Sequence, residues 1–249
     1  METIKENTNK METVVHRADS RGYANHGWLQ ATHSFSFASW FNKDRIQFGA
    51  LRVLNDDIIA PNMGFGTHPH DNMEIITIPL KGVLKHRDSM HNAWQAVVPG
   101  EVQVMSAGTG VQHSEINGSA TEHLNLFQIW IFPDEQHVRP RYDQKRFEEA
   151  DRKNKLQTLV TSTKDSHEGS LKIHQDAVLS RIDLDKDKTF NYKLKDENHG
   201  VYVMTIFGEL DIAGETLHSR DAIGISKTKE FTVKTKEDTG LLFIEVPMQ

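Results

Sequence analysis

Short apolar or alternating stretches, broken at intervals by Gly, Pro, Asn or Asp, constrain this chain more than any other feature. They include Phe48 to Leu54, Glu74 to Leu80, Glu101 to Met105, Leu126 to Phe132, Val201 to Phe207, Ala222 to Ile225 and Leu241 to Val246. Many short strands with regular turn signals point to a β-sandwich or barrel. The clearest helical or linker stretch is the highly charged Arg146 to Lys155, near the middle, which reads as a domain boundary. The two halves are weakly alike. Glu74 to Leu84 and Gly200 to Leu210 both carry a strand into a glycine, Gly82 or Gly208, and then a second strand. Pro99 to Val104 is echoed by Ser219 to Gly224, and Leu126 to Pro133 by Leu242 to Pro247, in the same order. Tandem duplication of one β-domain is the simplest account.

At 249 residues there is room for one large domain or two ordinary ones. A formal net charge of -6 gives no electrostatic reason to expect a nucleic-acid partner. The chain has no cysteine, so disulfides are excluded and any metal must be held by nitrogen and oxygen. No apolar run approaches a membrane span of roughly 20 residues, and the polar start, Met1 to Glu12, reads as a flexible tail without a signal-peptide core. A cytoplasmic protein is expected.

Of 14 histidines, most must be ordinary, so arrangement decides. His68-Pro69-His70 and His113-Ser114-Glu115 are two pairs spaced i, i+2; the first follows Gly64-Phe65-Gly66, which lets the chain enter at an unusual angle, and the second follows a glycine-rich turn, Ala107 to Gly110. On a strand that spacing puts both side chains on one face. Each pair alone is a weak signal. If the barrel sets the two strands side by side, His68, His70, His113 and Glu115 converge as three nitrogens and one oxygen, leaving open positions on a five- or six-coordinate ion. That donor set suits iron, manganese, cobalt, nickel, copper or zinc.

The text around these pairs is specific. Gly66-Thr-His68-Pro-His70 with Glu74 and Gly82, then Pro99-Gly100 and His113 with Asn117, resembles the two cupin motifs. His33 to Phe37, Leu51 to Asp57, Gly64 to His70, His86 to Ser89, Gln103 to Gly110, His113 to Asn117 and Phe127 to Ile131 resemble the pirin family, over nearly all of residues 14 to 140. The resemblance implies an all-β bicupin: two tandem jelly-roll β-barrels with short helices. The expected division is a tail over 1–12, a metal-binding barrel over 13–145, and a linker helix with a degenerate barrel over 146–249. The family's ligands fall on His68, His70, His113 and Glu115, with iron first among the divalent metals. Where relatives usually have Gly after Asp-Ser-Met, this chain has His91.

The resemblance also implies quercetin 2,3-dioxygenase chemistry on a small aromatic substrate with O2, Glu115 serving as base. The alternative is a metal-sensing regulator that binds a protein partner. A monomer is expected. Aligning Gly208 with Gly82 puts Leu194 and Asp196 at the places of His68 and His70, so the second barrel is expected to be metal-free, with His199 and His218 on its surface. Glu74 is placed beside the site, in contact with the ligands rather than as one. His86 is open between orienting substrate and facing solvent. Phe35 and Phe37 are expected in the barrel wall, with lining of the pocket as the alternative for either, and Met105 and Phe127 in the core.

Overall fold

The computed structural model describes residues 11–248. Most of the expected tail, residues 1–10, lies outside them. Among the described residues, regular structure is extended apart from two 3-10 turns, Ala18–Ser20 and Glu149–Arg152. The first twelve strands are β1 Glu12–His16, β2 Gly22–Asn25, β3 Leu29–His33, β4 Leu51–Ile59, β5 Gly64–His70, β6 Glu74–Lys81, β7 Leu84–Asp88, β8 Gln95–Val97, β9 Glu101–Ser106, β10 Val111–Asn117, β11 Leu124–Ile131 and β12 Arg141–Arg146. The remaining ten are β13 Gln157–Ser162, β14 Leu171–Ile173, β15 Val178–Leu184, β16 Thr189–Lys193, β17 His199–Phe207, β18 Glu209–Ile212, β19 Glu215–His218, β20 Ala222–Ser226, β21 Glu230–Thr235 and β22 Thr239–Pro247.

These strands form two seven-stranded and two four-stranded sheets. In the first half the orders are β12-β9-β6-β11-β4-β3-β2 and β5-β10-β7-β8; in the second they are β1-β20-β17-β22-β15-β13-β14 and β16-β21-β18-β19. Strand for strand, β5 to β11 correspond to β16 to β22, which is the order a duplicated unit must show. The seven-stranded sheets share one core, where Leu54, Ile76, Phe127 and Ile129 meet Leu179, Tyr202, Met204, Leu242 and Ile244. Strands covered on both faces read as unbroken apolar runs, and β17 and β22 are buried along nearly their whole length. Outer strands have one wet face and alternate, as β21 does, exposed and buried by turns.

Two expectations need adjusting. The charged stretch Arg146 to Lys155 forms only one 3-10 turn, because β12 runs to Arg146 before it. Within the expected unit 13–145, β1 pairs not with its own half but with β20, Thr13 lying opposite Ile225. It takes the place in the second sheet that β12 takes in the first. An ion pair also crosses between the halves: Arg220 Nε lies 3.0 Å from Asp56 Oδ2, an oxygen that the buried Arg21 of the first half also approaches at 3.8 Å. No helix among the described residues is long and apolar enough to cross a membrane.

Candidate metal centre and its pocket

The two motif strands are neighbours. β5 and β10 run antiparallel, with His113 opposite His68 and Val111 opposite His70. Pairing then slips: Gly66 and Thr67 oppose the single residue Ser114 before Phe65 meets Glu115. Such a bulge bends a strand and re-aims its side chains. Thr67 and Ser114 bridge it through their hydroxyls at 3.0 Å. Gly64 is required here, since a Cβ would collide with the Glu115 carbonyl of the adjacent strand.

The three imidazoles gather at one point. His113 Nε2 lies 2.9 Å from His68 Nε2 and 3.0 Å from His70 Nε2. His68 Nδ1 is 2.8 Å from the Gly66 carbonyl, to which it donates, so its Nε2 carries a lone pair. Three ring nitrogens meeting at one point cannot all be satisfied by sharing protons. One cation satisfies them, and a spacing near 3 Å is what adjacent imidazoles with metal–nitrogen bonds of about 2.1 Å require. Burial, aided by the neighbouring histidines, lowers His113 to about 2, and burial followed by His68 lowers His70 to about 4. Both are therefore neutral, the form that ligates. His68, His70 and His113 make up the candidate metal group.

Glu115 is not in that group. It lines the same cavity, with Oε2 accepting a 3.1 Å hydrogen bond from Gln128 Nε2. Its Oε1 is buried and finds no partner among the described residues. Burial lifts its carboxyl to about 7 against the opposing effect of the Gln128 bond. Glu74 is not where the sequence suggested. It accepts a 2.7 Å bond from Ser106 and does not line the cavity, whereas its neighbour Ile75 does. The i+4 argument assumed one continuous strand, but β5 ends at His70 and Glu74 opens β6.

The cavity, about 570 Å³, falls in the usual range for small-molecule sites, roughly 300–1,000 Å³. Trp28, Phe37, Phe65, Ile75 and Trp130 supply its apolar walls. Asn55, Asp57 and Gln128 supply polar groups from the seven-stranded sheet opposite the histidines. Asp57 is the residue that sequence reasoning missed: it is buried, and burial followed by Asp56 and Glu115 raises its carboxyl to about 8. The available signal was an acid at an inward position of an apolar strand. Phe35 belongs to the core between the halves, as does Phe127, and Met105 is buried beside Ile75. His86 faces neither solvent nor cavity; it is buried, stacked on Tyr142 at 5.0 Å, with its ring 5.3 Å from that of His113.

In the second half, matching registers place Tyr192 opposite Phe231 where His68 stands opposite His113. Leu194, bonded through its N–H to the Lys229 carbonyl, takes the place of His70. Val233 replaces Glu115 and Phe243 replaces Gln128. The expected equivalents, Leu194 and Asp196, are thus two residues too far along. The connection over 194–198 is longer than its counterpart over 71–73. Tyr192 stacks on both Phe231 and Phe243, at 5.3 and 4.7 Å. His218 is exposed as expected, but His199 is buried at 4% exposure, 3.2 Å from Glu245. Glu245 also accepts from the Tyr192 hydroxyl at 2.8 Å and the Lys195 N–H at 2.7 Å.

Fold and site together define an all-β protein of the cupin class with three histidines suited to one metal ion. The chain belongs to the pirin family. Residues 14–131 match the Pirin family model, and residues 159–246 match that of the quercetinase C-terminal cupin domain. A quercetin 2,3-dioxygenase of Escherichia coli K12 is 43% identical over 233 residues, covering 94% of this chain and 98% of that protein. A pirin-like protein of Caulobacter vibrioides is 40% identical over 227 residues, covering 91% and 96%. Among solved structures, the E. coli bacterial pirin YhhW in complex with nickel(II) superposes with a TM-score of 0.89 at 39% identity, covering 96% of this chain and all (100%) of that one.

Proposed function

We propose that this chain is a metal-dependent dioxygenase that cleaves a flavonol such as quercetin with O2. It is built as a bicupin whose first jelly-roll barrel holds one divalent transition metal through His68, His70, His113 and Glu115, and whose second barrel is metal-free. The observation that carries the reading is the meeting of three Nε2 atoms at an aromatic-walled cavity that also presents a buried carboxyl. The name of the E. coli relative supports the same chemistry. Iron is the first choice of metal, and nickel, bound by YhhW, is the second to test.

A divalent ion, when bound, supplies positive charge that favours ionisation of an adjacent substrate hydroxyl and orients the anion. The protein supplies the remainder. Trp28, Phe65 and Trp130 offer flat apolar walls to a planar substrate and exclude water from it. Glu115, as ligand or as released base, presents Oε1 to the 3-hydroxyl proton, while Gln128 steadies Oε2. A carboxyl lifted to about 7 is suited to that exchange at neutral pH.

The test is turnover by the iron- or nickel-loaded protein. One O2 consumed and one carbon monoxide released per quercetin supports the reading. Glu115→Gln should keep the fold and lose turnover by about 100-fold or more. Absence of O2 uptake with either metal defeats the proposal.

A further inference from the structure

Three polar side chains of the seven-stranded sheet face the cavity, and two are already committed. Asn55 Oδ1 is 2.9 Å from His33 Nδ1. Gln128 accepts from the Thr77 hydroxyl at 3.1 Å and donates to Glu115 at 3.1 Å. Asp57 is different: it is 5% exposed, and Oδ1 finds no partner among the described residues. A carboxyl in mid-strand, with Leu126 opposite on one side and Ala31 on the other, is costly to bury unless something satisfies it. Its position is also fixed. Alternation along β4 turns Asp56 to the other face, where Arg220 and Arg21 hold it.

We propose that Asp57 is a specificity-determining residue: it exchanges a hydrogen bond with a phenolic hydroxyl carried by the substrate ring that reaches across the cavity from the histidines. The inference rests on the flavonol reading and narrows the substrate class. A planar molecule whose chelating edge meets His68, His70 and His113 on one sheet extends toward β4 on the facing sheet, where Asp57 offers the uncommitted oxygen. The favoured substrate is a polyhydroxylated flavonol. One with only the 3-hydroxyl fills the aromatic walls but leaves Asp57 unsatisfied, and unsatisfied buried groups are what make a site reject an analogue.

Calorimetric titration of the nickel-loaded protein without oxygen, with quercetin and with 3-hydroxyflavone, reads binding rather than turnover. The quantity to follow is the ratio of the two affinities. Asp57→Ala and Asp57→Val both remove the hydrogen-bonding oxygen, and either one that retains a cooperative melt decides the matter. The ratio is expected to fall about tenfold from the wild type to the variant, through weaker binding of quercetin. An unchanged ratio, with both flavonols still bound, overturns the role of Asp57 alone. A wild-type protein that binds neither flavonol overturns the flavonol reading and this inference with it.

Discussion

The two halves share a strand order and differ in what fills them. Where the first sets His68, His113 and Gln128 around an open cavity, the second sets Tyr192, Phe231 and Phe243 in a ring stack. Each half also buries a carboxylate at this level. Glu245 is bonded by Tyr192, Lys195 and His199, whereas Glu115 and Asp57 each keep an oxygen without a partner among the described residues. A filled, satisfied interior stabilises. An open one with unsatisfied donors and acceptors costs stability and leaves groups for a ligand.

The largest expected effect is on metal content. His113→Ala should take bound metal from one ion per chain to none by elemental analysis, while His199→Ala in the other half should leave it intact. Retention of the ion by the first variant, or its loss from the second, would break the contrast. Next come the residues at equivalent places in the two halves. Phe243→Ala should cost about 3–5 kcal/mol in urea unfolding, because its fully buried ring leaves a cavity. Gln128→Ala borders a space that is already open and should cost about 1 kcal/mol.

A pH test sharpens the contrast further, since strongly shifted acids concentrate in the first half. Burial raises Glu74 from an ordinary 4.5 to about 7. A raised carboxyl contributes stability that is complete below its unfolded value and lost as pH rises through the folded one. Glu74→Gln keeps an acceptor for Ser106 but cannot ionise. Relative to the wild type it should therefore gain about 2 kcal/mol between pH 5 and pH 8. A constant difference across that range would remove Glu74 from the account. An effect as small as that of Gln128→Ala is expected at the junction. Arg220→Ala should cost about 1 kcal/mol, since the Arg220 side chain is partly exposed and Arg21 still faces Asp56.

Much of this was legible in the sequence. Each of the seven apolar runs overlaps a strand, from β4 to β22, because alternation and turn residues are local signals, although Phe48 to Ala50 precede β4 and Phe132 follows β11. The shared face of each histidine pair was legible too, since i, i+2 spacing fixes it; the meeting of the two pairs depends on β5 lying beside β10, which spacing alone does not fix. Glu115 was placed in the same cavity but not among the clustered nitrogens, because spacing fixes a face and not a rotamer. Asp57 was less legible: alternation along β4 marks it, rather than Asp56, as the inward acid, but a strand pattern does not say whether an inward acid meets a partner or a cavity. The two-residue offset at Tyr192 and Leu194 arose from a difference in loop length that glycine alignment cannot register. Pairing of β1 with β20 was illegible for a related reason: contacts between distant segments leave no periodicity in either one.

That last pairing bears on how the molecule is made. Glu12–His16 leaves the ribosome well before its partner Ala222–Ser226. Until that partner emerges the earlier segment must wait, unpaired. The second sheet keeps an open edge until Glu12–His16 returns to close it, and closing so long a loop is slow. A fusion placed ahead of Glu12 would therefore burden the half of the protein encoded furthest from it.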